Sequence, residues 1–287
     1  MTSEMQTFPR KIWCAWHQGL EKAPEHVQRI VQLWREFNPG YDLVVMEDPE
    51  GADMLADQGV DPSHLQPQIK ADLLRSLLLK RHGGVWVDVT LLPAQRLENW
   101  LEPIMRDTPF FAFTSSGDPD KVLSNWFLAA QPHSVLMARW CDFFVDYFKT
   151  HRRPHSWKRA LAHVKAHDYL RYMANDKLGR RTWFVDPAKG RDCFFYPYAV
   201  HNYHLSFLLK TDPEVRREWE KCPTRWHILP MLVQRASRDP DTPVEVLNAE
   251  MIALLDYAPL HKLSYQDKRF LAVVTAVEKR IRSGNVG

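Results

Sequence analysis

A chain of 287 residues that is 45% hydrophobic and 25% charged has room for one large domain, or for a domain with an appended subdomain. A net charge of +3 is too weak to indicate nucleic-acid binding, but it suits an anionic small substrate or peripheral contact with an anionic membrane surface. Four widely spaced cysteines without a CxxC pair exclude a zinc ribbon or thioredoxin-type motif, and the absence of a long apolar run or an apolar leader predicts a cytoplasmic protein with free thiols.

In chain order, Lys11 to Trp16 (KIWCAW) reads as a buried first strand. A helix follows Pro24, with Val27, Ile30, Val31 and Trp34 at helical spacing, and Asn38-Pro39-Gly40 turns the chain into a second strand, Tyr41 to Met46. This β-α-β opening predicts a parallel sheet with crossover helices. Pro67 opens a helix with Ile69, Leu73 and Leu77 on one stripe, and Gly83 caps it. Val85, Val87 and Val89 then alternate with Trp86, Asp88 and Thr90, which predicts a strand running to Pro93 with Asp88 and Thr90 on one side.

Further strands are expected at Phe110 to Thr114 and Asn125 to Ala130, and an amphipathic helix at Ser134 to Phe148. His155 to Asn175 reads as a basic, solvated helix. Short strands are expected near Trp183 to Val185 and Cys193 to Tyr196, a helix at Pro213 to Glu220, and a last helix from Tyr265 to Arg282. The expected organisation is one domain, 1–287, with a ligand-binding core over 9–150 and a more helical part over 151–287.

The stretch from Ile69 to Pro93 carries the most chemical information. A carboxylate at the carboxyl end of a buried strand is where open α/β sheets place ligand chemistry. Asp88 and Thr90 make a D-x-T triplet, whose oxygens suit a hard cation such as Mg²⁺ or Mn²⁺, although Thr90 brings no charge. Asp72 and Arg75, three residues apart, share a helix face. They form either a simple intrahelical ion pair or, set among leucines before the Asp88 strand, contacts to sugar hydroxyls and to a phosphate or carboxylate. There is no P-loop, no G-x-G-x-x-G fingerprint and no G-x-S-x-G elbow.

IKADLLRSLLLKRHGGVWVDVTLLP resembles the donor-binding segment of the capsular polysaccharide synthesis glycosyltransferases, relatives of the DxD sugar-binding families. PRKIWCAWHQG resembles their opening, SNWFLAAQPHS their middle strand and HKLSY their closing motif. The resemblance implies a GT-A type, Rossmann-like α/β fold that binds a nucleotide-diphosphate sugar. It also implies a retaining transfer to a glycan or lipid-linked acceptor, in surface polysaccharide synthesis.

Residue by residue, the resemblance implies that Trp16 lies near the nucleotide base, and that Asp72 and Arg75 contact sugar or ribose hydroxyls. Asp88 would bind ribose or a divalent cation, Mn²⁺ or Mg²⁺, with Thr90 and His261 as further metal ligands. Lys262 would contact the diphosphate and Asn125 the transferred sugar. Two alternatives keep the same site: nucleotidyl or phosphoryl transfer, and a non-catalytic nucleotide-sugar-binding module.

Overall fold

The computed structural model describes residues 7–115, 117–236, 249, 252–264 and 270–282. Its centre is a five-stranded sheet in the order β2-β1-β3-β6-β5. The strands are β1 (Lys11–Ala15), β2 (Asp42–Met46), β3 (Gly84–Val87), β5 (Phe110–Thr114) and β6 (Leu123–Ala130). The first three run parallel, as the β-α-β opening predicts, but β6 pairs antiparallel with both β3 and β5. The sheet is therefore mixed, which corrects the all-parallel expectation. Phe110 and Ala130 lie opposite one another in the β5–β6 pair.

Alternation along the strands divides the interior into two cores. Ile12, Cys14, Val85, Val87, Phe111 and Phe127 face one core, packed against α1 (Glu25–Phe37), α4 (Leu97–Asp107) and the last helix, Phe270–Arg282. Trp13, Trp86, Phe110, Ala112 and Leu128 face the other, against α2 (Glu50–Ala56), α3 (Pro67–His82) and α5 (Val135–Phe148). The expected start of the last helix at Tyr265 lies outside the described residues; its apolar face from Phe270 to Val277 is buried. Trp34, Trp86 and Trp140 fill the two cores, whereas Trp157 and Trp226 are exposed.

Gly83 and Gly84 make the sharp entry into β3. Both have positive φ, 63° and 91°, and a Cβ on Gly84 would lie 2.6 Å from the Lys11 carbonyl oxygen. The close approach lets β3 pair with β1. The strand then ends earlier than its sequence pattern suggests. Asp88 to Thr90 form a tight turn, closed by Leu91 N–H donating to the Asp88 carbonyl, 2.9 Å. The chain continues as β4 (Leu91–Pro93), which belongs to a separate two-stranded sheet with a strand near residue 261. Trp34 of α1 anchors that crossing by donating to the Leu91 carbonyl, 2.7 Å.

The second half departs further from expectation. The basic stretch is helical only as a short 3-10 turn, His155–Trp157, and as α6 (Ala166–Lys177). The segment expected as a strand near Trp183 is a 3-10 turn, Arg181–Phe184. Strands β7 (Arg153–Pro154) and β8 (Phe195–Tyr196) form a minimal parallel pair. Helices α7 (Val200–Thr211), α8 (Pro213–Trp219) and α9 (Leu232–Ala236) follow, then β9 (Leu260–Lys262) and α10 (Phe270–Arg282). Among the described residues, no helix is long and apolar enough to cross a membrane. None of the four cysteines forms a disulfide.

Candidate functional site

The parallel strands β1 and β3 end side by side, so the residues that follow them, Trp16 and Asp88, open into one cleft of about 590 Å³. That volume suits a ligand of nucleotide-sugar size. The amino-terminal half of α3 forms one wall, β6 contributes Asn125, and Tyr196, His201 and Lys262 close the far side. Seven of the eight residues expected from sequence line the cleft: Trp16, Asp72, Arg75, Asp88, Thr90, Asn125 and Lys262. The eighth, His261, does not.

Arg75 is the hub. It is buried on α3, 4% exposed, and its Nη1 pairs with Asp72 while Nη2 donates to Asp88 Oδ1 at 3.0 Å. Its guanidinium also lies over the Trp86 ring, 5.0 Å from the centroid. The intrahelical ion pair expected as one alternative for Asp72 and Arg75 exists, and both residues line the cleft. Trp86 Nε1 adds a second donor to Asp88 Oδ1, 3.2 Å, because β3 alternation puts Trp86 and Asp88 on one side.

Lys262 completes the cluster from far along the chain. Its Nζ donates to Asp88 Oδ2 at 2.8 Å and to Thr90 Oγ1 at 2.6 Å. Main-chain pairing brings it there. Leu91 of β4 lies opposite Lys262 of β9, and Leu263 N–H donates to the Thr90 carbonyl at 2.9 Å. Neighbouring residues of a strand point to opposite sides. His261 therefore faces away, fully buried, with Nε2 against the Leu255 carbonyl at 2.9 Å.

This geometry bears on the expected divalent cation. Asp88 Oδ2 and Thr90 Oγ1 do converge, but on the Lys262 ammonium, and His261 is on the wrong face to join them. Among the described residues, no three His, Cys, Asp or Glu side chains gather into a metal-binding group. Mg²⁺ and Mn²⁺ favour an octahedral shell of oxygens with carboxylate charge. Here the triplet brings one carboxylate and one hydroxyl, both bonded to Lys262, while Asp72, the other carboxylate of the cleft, is paired with Arg75. The residues present do not fit a resident divalent cation.

A second polar chain, not anticipated from sequence, runs behind Asp72. Asn125 Nδ2 donates to Asp72 Oδ1 at 3.0 Å and reaches His201 Nδ1 at 3.3 Å. His201 Nε2 lies 3.0 Å from Ser76 Oγ, whose hydroxyl donates to the Asp72 carbonyl. The arrangement is consistent with the proton on Nε2, leaving Nδ1 to accept from Asn125. His201 stacks on Trp140, with ring centroids 4.1 Å apart. Its only sequence signal was a histidine in α7, whose HNYHLSFLL run mixes polar and apolar residues without a clear stripe.

Electrostatics sort these groups. Burial alone would raise the Asp88 carboxyl, but Lys262 and Arg75 outweigh it and hold the group below the usual carboxylate range. Burial pushes Asp72 up to about 6; Arg75 opposes the rise and Asp88 adds to it. Burial, with Arg75 and His204 adding to it, holds His201 far below its ordinary value, hence neutral. The cleft therefore contains a firmly ionised carboxylate, a more easily protonated one and a neutral imidazole.

The sequence profile of a family described as "Capsular polysaccharide synthesis protein" matches residues 1–158, more than half of the chain. The chain belongs to that family. The matched region contains β1, α3, the Asp88 turn and β6, and so most of the cleft. The relatives it matches are named as glycosyltransferases. A glycosyltransferase of Aspergillus fumigatus is 31% identical over 154 residues, covering 47% of this chain and 39% of that protein. An initiation-specific alpha-1,6-mannosyltransferase of Candida albicans is 28% identical over 109 residues, covering 34% of this chain and 28% of that protein. A putative glycosyltransferase of Saccharomyces cerevisiae is 31% identical over 105 residues, covering 33% of this chain and 25% of its own length. These matches thus span well under half of each relative. The catalytic domain of alpha-toxin from Clostridium novyi superposes with a TM-score of 0.36 and 9% identity, over 92% of this chain and 76% of that one. A likeness at that level carries no argument about the fold.

Proposed function

We propose that this family member is a glycosyltransferase of GT-A type, which moves a sugar from a nucleotide-diphosphate donor to a hydroxyl of a glycan or lipid-linked acceptor in surface polysaccharide synthesis. One observation carries the reading. Asp72, Arg75, Asp88, Asn125 and Lys262 come together at the carboxyl ends of two parallel strands, in a cleft of suitable size. Trp16 offers an aromatic face to the base. Asp88 holds Lys262 and accepts from a ribose hydroxyl. Asp72 and Asn125 contact the transferred sugar. Lys262 stabilises the diphosphate as its charge grows.

Both carboxylates of the cleft are tied to Arg75, which supports retention by front-face attack rather than through an enzyme-bound sugar. In that step the acceptor oxygen bonds to the anomeric carbon as the bond to the diphosphate oxygen breaks. The acceptor proton passes to the departing phosphate. The products are a glycoside and a nucleoside diphosphate.

The test is incubation with a panel of nucleotide-sugars and product analysis. Free nucleoside diphosphate is expected; pyrophosphate would assign nucleotidyl transfer instead. Exposed Leu170 and Met173 on α6, with Lys158, Arg159 and Lys165 just before it, support peripheral contact with an anionic membrane surface. Co-sedimentation with anionic vesicles is expected, and none with neutral ones; equal recovery in the two supernatants would remove that contact.

A further inference from the structure

We propose that Lys262 is a built-in counter-ion that stands in for a divalent metal, so that this cleft binds a nucleoside diphosphate without one. The inference rests on the nucleotide-sugar reading above and adds the manner in which the diphosphate is held. The ammonium occupies the point on which the two ends of the D-x-T triplet converge, 2.8 Å from Asp88 Oδ2 and 2.6 Å from Thr90 Oγ1. A metal using those oxygens would have to displace Lys262 and strand a partly buried cation, which is costly.

The charges also compensate one for one. Two carboxylates with a divalent cation sum to zero. One carboxylate, one neutral hydroxyl and one ammonium sum to zero as well, with the Arg75 charge set against Asp72. Thr90 in place of an acid is thus matched by a lysine in place of a metal, and the net charge presented to an incoming diphosphate is the same. An acid at position 90 would unbalance the set; a hydroxyl accepts from the ammonium at no charge cost.

The ammonium is also equipped to bind. It has three N–H donors. Two are engaged by Asp88 and Thr90, and among the described residues the third has no protein acceptor. Lys262 lines the cleft, where that donor serves a phosphate oxygen. Its position does not depend on a flexible loop, because β9 is laced to β4 by main-chain pairing and to Thr90 by the Leu263 amide. Pre-organised charge of this kind needs no reorganisation when the ligand arrives.

The test is calorimetric titration of the full chain with UDP and with GDP, once in EDTA and once in excess Mn²⁺. We expect at least one of the two to bind with dissociation constants in EDTA and Mn²⁺ that agree within about threefold. Lys262→Gln, checked for an unchanged melting temperature, is expected to weaken that binding about 10- to 100-fold, the effect of losing a charge-assisted hydrogen bond. Binding that appears only with Mn²⁺ overturns the inference and leaves glycosyl transfer standing. Full-strength binding in a folded Lys262→Gln protein also overturns it. Binding of neither nucleotide in either medium removes the inference together with the nucleotide-sugar reading beneath it. The wild-type titrations decide the metal question even if the variant does not fold.

Discussion

The two halves of the chain build the cleft by different means. Before residue 150, the site residues other than Thr90 sit on or directly after a strand of the central sheet or on α3: Trp16 after β1, Asp72 and Arg75 on α3, Asp88 after β3, Asn125 within β6. After residue 150, the contributors come from short or irregular pieces: Tyr196 from a two-residue strand, His201 from a helix buried nearly all round, Lys262 from a three-residue strand. The first half sets positions through sheet and helix geometry. The second half finishes the charge balance and the hydrogen bonding.

Substitutions can break or sharpen that contrast. The largest effect is expected from Asp88→Asn, which removes the charge that holds Lys262. Transfer should fall roughly 100-fold or more with the melting temperature kept; undiminished turnover by a folded variant would sink the assignment. Trp16→Ala should weaken nucleotide binding about tenfold, on the scale of one lost base–aromatic stack, as read by calorimetry. An unaltered affinity would place the base elsewhere.

From the second half, His201→Phe keeps the ring beside Trp140 but removes the bonds to Ser76 and Asn125. We expect kcat/KM to fall by about tenfold through misplacement of Asn125 and Asp72. A loss confined to thermal stability, with kinetics intact, would make His201 a core residue only.

Acidity tests the link between halves. Because Asp72 is raised from 3.8 to about 6, its folded form binds more protons than the unfolded chain between those values. Ionising it therefore opposes folding as pH rises through that window. Function runs the other way: protonation below about 6 removes an acceptor from the cleft, so donor affinity should fall there, and Asp72→Asn should flatten that limb of the profile. The smallest effect is expected at Glu278→Gln, which weakens the pairing of α10 with Arg29 on α1. A partly exposed pair of this kind contributes no more than about 1 kcal/mol in urea titrations, with transfer unaffected.

Much of the first half was legible because its signals are local. Valine alternation places Val85 and Val87 in one core and Trp86 in the other, and the Gly83-Gly84 break needs positive φ. The same alternation overran its range. Val89 is buried, so the pattern continues, yet the hydrogen bonding turns at Asp88 and moves to another sheet. The HKLSY resemblance brings both His261 and Lys262 to the site, one as a metal ligand and one as a diphosphate contact, whereas a strand sends neighbours to opposite sides. Only the β4–β9 register decides which one meets Asp88, and register between segments so far apart leaves no trace in either segment. Helix α7 was hidden for a related reason. His201, Asn202 and His204 are buried, so polarity there does not mark the solvent side.

The bond between Lys262 and Asp88 spans 174 positions of sequence. A nascent chain emerges amino end first, and the carboxylate is made long before its ammonium. Until then the partners available to Asp88 are Arg75 and the Trp86 indole. The Lys262–Asp88 pair can close only once the strand bearing Lys262 has left the ribosome and paired with Leu91. A chain cut short before that strand would keep the Asp88 turn but lack the ammonium that pairs with it.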